Sequence, residues 1–150
     1  MFLILALALS APAEAVELST TEAAMVAQLN AFRAQNGLPA LKPAAWLMQR
    51  ARAHCVWMTK NGMVHSGGIQ ENIAAGQGSV ASVMRAWIGS GGHNSNMRTS
   101  AGFVGVAAYT SPSGTPYYVQ QFGAAEGSPV PIHGGGGSAP VRRFFRFFRR

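Results

Sequence analysis

The apolar pattern of this chain changes period part-way along, and that change sets the fold class. Met25, Leu29 and Phe32 recur at helical intervals, with Val26 beside them. Ser19-Thr20-Thr21-Glu22 has capping-box spacing, and Asn36-Gly37 with Pro39 supplies the stop. A second helix is predicted from about Ala44 to Lys60, with Leu47, Ala51, His54 and Met58 on one stripe and Asn61-Gly62 ending it. A third begins near Ser79 and carries Val80, Val83, Met84 and Trp87 at i, i+3, i+4 and i+7. From Phe103 the composition turns β-rich. Phe103–Tyr109 and Thr115–Phe122, joined by Ser111-Pro112-Ser113-Gly114, read as a hairpin. Helices first and paired strands last predict an α+β domain, with helices packed on a small antiparallel sheet. Two Gly-rich stretches, Met63–Gly78 and Gly89–Gly102, read as connections.

The ends differ from the body. Met1–Ala15 reads as a secretory signal peptide: Phe2–Leu9 is an unbroken apolar run, and Ala13-Glu14-Ala15 fits the small-x-small cleavage pattern. Residues 16–127 form the domain, 128–141 a Gly/Pro-rich linker, and 142–150 a tail built only of Arg and Phe. Of the formal net charge of +7, the tail holds five positive charges, and residues 16–127 carry seven basic against four acidic side chains. A body so weakly basic argues against a nucleic-acid partner. No apolar run approaches the roughly 20 residues that span a bilayer. The location expected is secreted or periplasmic, with the envelope as the place of attachment. One Cys excludes an internal disulfide framework and a four-Cys zinc site; Cys55, inside a helical pattern, is expected to be an inert core thiol.

The residues able to carry chemistry gather in the two Gly-rich connections. His65 and Glu71 lie in the first and His93 in the second; Glu71 is the only acid between Glu22 and Glu126. A lone carboxylate near two imidazoles accepts hydrogen bonds from them and gives the site affinity for a divalent metal. In that case His65 and His93 are the ligands of zinc or another divalent metal, with Glu71 a candidate third ligand, an orienting acceptor or a general base. The competing expectation is a hydrogen-bond network of the same three residues that ties two loops to the sheet. Asn72 and Asn96 are expected to bond loop backbone, and His54 to be a core or rim histidine. Trp46, Trp57 and Trp87 are expected to pack rather than to offer a carbohydrate platform.

At these residues the sequence resembles the CAP superfamily (cysteine-rich secretory proteins, antigen 5 and pathogenesis-related-1 proteins; the SCP-like domain), in its disulfide-free bacterial branch. The matching pieces run in order. They are Leu29-Asn30-Ala31-Phe32-Arg33 with Gly37-Leu38-Pro39-Ala40-Leu41, Ala51-Arg52-Ala53-His54 with Met58, and Gly62-Met63-Val64-His65. Glu71-Asn72-Ile73-Ala74 follows, then Trp87, Ser90, Gly92-His93 and Asn96-Met97, and finally Val104-Gly105-Val106 and Tyr118–Gly123. The resemblance implies an α-β-α sandwich with a cleft lined by two His and two acids. His65, Glu71 and His93 match three of those positions; the fourth acid is replaced by Ser90, which removes one negative charge.

The function expected is a secreted CAP-like binding module, the resemblance implying a lipid or protein ligand in the cleft. Its alternatives are a metal-dependent hydrolase, with His65 and His93 as ligands and Glu71 as base, and a cationic membrane-active factor. No catalytic residue is assigned. The tail bears on all three. At 100° per residue, Arg142, Arg143, Arg146, Arg149 and Arg150 fall on one side of a helix, and Phe144, Phe145, Phe147 and Phe148 on the other. Such a segment suits an anionic membrane surface, with Phe inward and Arg on lipid phosphates, and orders only on contact.

Overall fold

The computed structural model describes residues 16–125 and 128–129. The predicted leader, the rest of the linker and the Arg/Phe tail lie outside the described residues. In chain order the elements are α1 (Thr20–Gln35), β1 (Lys42–Pro43), α2 (Ala45–Asn61), β2 (Gln70–Ala75), α3 (Val80–Ile88), α4 (Gly91–Met97), β3 (Phe103–Thr110), β4 (Pro116–Ala125) and β5 (Ser128–Pro129).

The capping box forms as its spacing predicts. Ser19 Oγ accepts from the Glu22 N–H at 3.2 Å, and Glu22 Oε2 accepts from the Ser19 N–H at 2.9 Å. Arg52 of α2 then grips both Glu22 oxygens, at 2.7 and 2.8 Å, and so ties the two helices together. At the end of α2, Gly62 takes φ +86, a conformation that a side chain would strain.

Three expectations need correction. The stretch 63–78 contains β2, and 89–102 contains α4. Neither has an apolar period: Gln-Glu-Asn at the start of β2 is held by hydrogen bonds, and Gly-Gly-His-Asn-Ser-Asn-Met has one apolar side chain. The sheet is also mixed. Its order is β1-β3-β4-β2, and β1 runs parallel to β3 while the other pairings are antiparallel. Ser128–Pro129, read as the start of the linker, pairs with β4.

Strand alternation sorts the core into two layers. Val104, Val106, Tyr118 and Phe122 pack with Met25 and Leu29 of α1, Val83, Met84 and Trp87 of α3, and Met97 of α4. Ala107, Val119 and Ile73 pack with Ala51, Cys55 and Met58 of α2. The helices thus cover both faces, giving the α-β-α sandwich. Among the described residues no helix is long and apolar enough to cross a membrane.

The Glu22 junction makes stability pH-dependent. Burial alone would raise its carboxyl, but hydrogen bonds from Arg52 and Ser19 outweigh that and hold it below the ordinary 4.5. A folded value below the unfolded one contributes stability above pH 4.5 and loses it as pH falls through the lower folded value. Glu22→Gln should cost about 1–2 kcal/mol near neutrality, and the gap to the wild type should narrow in acid melts. A gap constant with pH would contradict the assignment.

Candidate functional site

Alternation along β2 turns Glu71 and Ile73 toward α2, and Asn72 and Ala74 toward α3 and α4. The two polar side chains therefore start two separate networks.

Glu71 is buried, and each of its oxygens takes two donors. Oε1 accepts from His65 Nδ1 at 3.0 Å and from the Ser66 backbone N–H. Oε2 accepts from the Ser66 hydroxyl at 3.0 Å and from the side-chain amide of Gln121 at 2.9 Å. Gln121 stands opposite Glu71 in the β2–β4 register and also donates to Ser66 Oγ at 3.2 Å. A buried carboxylate is tolerable only when its lone pairs are occupied, as here. The effect is to clamp the 65–66 turn to the sheet.

A further imidazole beside the acid is that of His54. His54 Nε2 stands 3.8 Å from Glu71 Oε1, beyond hydrogen-bond distance, and has no hydrogen-bond partner among the described residues. His54 is buried, as its place on the α2 stripe predicts.

His93 sits on α4, on the other side of the sheet. Its backbone oxygen accepts from Asn72 Nδ2 at 3.1 Å, its ring lies tilted 6.4 Å from Trp87, and its Nδ1 is buried with no partner among the described residues. Burial lowers the His93 pKa, and the nearby His65 lowers it further. Asn72 also donates to Gln120 Oε1 at 3.1 Å, and Asn96 donates to Glu71 O at 3.0 Å and to Asn72 Oδ1 at 2.9 Å. Gln70 closes this second network by donating to Asn96 Oδ1 at 2.9 Å. Asn72 and Asn96 do bond backbone carbonyls, but from a strand and a helix rather than from loops. Ser90 is the N-cap residue of α4 and makes no side-chain cap hydrogen bond.

The donor set does not present three ligands to one ion. Both oxygens of Glu71 and the Nδ1 of His65 are engaged with each other or with Ser66 and Gln121, and Ser90 replaces a second acid. Among the described residues no three His, Cys, Asp or Glu side chains are grouped to hold a metal. Cys55 is fully buried, with its thiol pushed up to about 12 mainly by desolvation, so it supplies neither a nucleophile nor a thiolate ligand.

Two hollows flank the clamped turn. One, of about 290 Å³, is lined by His65, Gly67, Ile69, Gln70, Glu71 and Asn96. The other, of about 410 Å³, lies against α2. Trp57 contributes to the second and is 45% exposed, contrary to the expectation that it packs; Trp87 does pack, at 1%. Sequence reasoning missed Gln121 and Gln120. The signal was present: two adjacent glutamines inside an apolar strand need buried partners.

No curated protein matches the sequence. Among solved structures, the fold is similar to an outer surface protein from Borrelia burgdorferi, at a TM-score of 0.63 and 14% identity, covering 71% of this chain and 94% of that one. The family model for the cysteine-rich secretory protein family, CAP, matches residues 26–122. That span takes in α2, both sides of the clamped turn and the closing hairpin, and the chain belongs to the CAP family in a form with one cysteine and hence no internal disulfide.

Proposed function

We propose that this chain is a CAP binding module of the cell exterior or envelope, taking a lipid or protein ligand beside the His65 turn without catalysing a reaction. One observation carries this: the four donors on Glu71 leave no lone pair aimed at a substrate or a metal, so the carboxylate serves as a frame for the turn. The location is supported by the leader pattern of Met1–Ala15 and by likeness to an outer surface protein. Zinc or another divalent metal on His65 and His93, with hydrolysis based on Glu71, is the second reading. It requires Glu71 to give up bonds that hold the turn.

Calorimetry separates the two readings. Zinc added to the full chain should bind no more tightly than to a His65→Ala/His93→Ala variant; micromolar binding lost in the variant would favour the metal site. The tail is proposed to tether the module to an anionic surface, its Arg on phosphates and its Phe in the interface. Removing 142–150 should abolish binding to anionic vesicles and leave the thermal melt unchanged. Undiminished binding would remove the tether. Leakage caused by a peptide of 140–150 alone would shift the activity to the tail itself.

A further inference from the structure

We propose that the groove between α2 and the 65–66 turn binds an acidic sugar, stacked on Trp57 with its carboxylate on Arg50. This goes beyond the reading above and does not rest on it, because the groove's plate and cation both belong to α2.

Arg50, Ala53, His54 and Trp57 follow at i, i+3, i+4 and i+7, so one face of α2 lines the groove; His65 and Ser66 form the opposite wall. Its volume of about 410 Å³ is that of a small-ligand site. The indole of Trp57 lies nearly parallel to the buried His54 ring, at 18° and 5.7 Å between centroids. His54 thus braces one side of the indole, which is still 45% exposed. Ala53 is short and exposed, so nothing rises between the plate and the cation.

Arg50 spends one Nη2 bond on Gly67 O, at 2.9 Å. Among the described residues no carboxylate lies within ion-pair distance of it. Its remaining N–H donors match a carboxylate in two-pronged geometry. Across the groove, His65 is held through Nδ1 by Glu71, which leaves Nε2 for a ligand hydroxyl on a side chain 62% exposed. Ser66 adds no free donor, since its hydroxyl already donates to Glu71. A ligand that satisfies all three groups has an apolar ring face for Trp57, an anion for Arg50 and a hydroxyl for His65. A uronic acid has these together. Benzoate stacks and pairs but offers no hydroxyl.

The probe is glucuronic acid, titrated against the full chain and followed by saturation-transfer NMR and tryptophan fluorescence, with glucose and benzoate in parallel. Glucuronate should bind, glucose and benzoate more weakly, and rising salt should weaken the glucuronate complex. Trp57→Ala should weaken it on the order of tenfold or more, and Arg50→Gln about as much. Ala53→Glu places a carboxylate beside Arg50 on the helix surface, and should abolish binding while the thermal melt stays at the wild-type value. The proposal is overturned if glucuronate does not bind, if glucose or benzoate binds as well, or if folded Trp57→Ala and Ala53→Glu bind as the wild type does.

Discussion

Gly105→Ala should abolish or severely weaken the folded state. Gly105 lies on β3 where α2 crosses it, and a Cβ there would overlap the Leu47 backbone and stand 2.7 Å from Leu47 Cβ. Backbone cannot rotate aside as a side-chain tip can, so helix and strand must separate. On either side of Gly105, Val104 and Val106 are fully buried against the opposite layer, which prevents the strand from retreating. The expected loss is about 3 kcal/mol or more, on the order of 10 °C in Tm. Gly102→Ala is the control: its Cβ would meet only Ala124 O at 3.8 Å, and should change stability by less than about 0.5 kcal/mol. Urea melts followed by circular dichroism compare the two. Equal stability would mean that α2 does not sit on the sheet at this point.

Arg33→Ala should cost nearly as much, for an electrostatic reason. Arg33 is 1% exposed, and its guanidinium donates to three backbone carbonyls: Pro39 at 2.8 Å, Met97 at 2.8 Å and Thr99 at 2.9 Å. It thereby fastens the end of α1 to the loop that leaves α4. Desolvation lowers its pKa, but guanidinium is so basic that it stays charged at neutrality. Truncation would orphan the buried Met97 and Thr99 carbonyls and the partly buried one of Pro39, and remove a tightly packed side chain, for roughly 3–5 kcal/mol. Lysine should rescue only part, because a single ammonium lacks the fork that reaches Pro39 and Met97 together. Denaturant melts of Arg33→Ala and Arg33→Lys check this ordering. Full rescue by lysine would mean that the charge, and not the geometry, carries the effect.

What could be read in the sequence follows from where burial is apolar. Met25, Leu29 and Phe32 announced α1, and Val83, Met84 and Trp87 announced α3, because apolar side chains at helical spacing meet one sheet face. Ser19 and Glu22 announced the capping box from spacing alone. β2 and α4 were hidden because Glu71 and Asn72, both buried, and the partly buried Asn96 are held by hydrogen bonds, which leave no period in hydropathy. The same blindness hid one of the acid's neighbours. His65 and Glu71 do meet, and His54 stands beside the same acid, brought in by the packing of α2 on the sheet. His93, carried by α4, stands near His65 but is not among the donors on the Glu71 carboxylate. Trp57 was expected inside on average behaviour, while the groove beside Ala53 leaves it half open.

The most direct test of Glu71 as a frame is one paired assay: ester and peptide hydrolysis by the full chain with zinc present, beside Glu71→Gln, with a thermal melt of each. A structural carboxylate predicts no turnover from either protein and a destabilised variant, by about 2–3 kcal/mol, since four donors lose a charged acceptor. Turnover by the wild type, lost in a variant that melts at the wild-type temperature, would contradict it and make Glu71 a catalytic base.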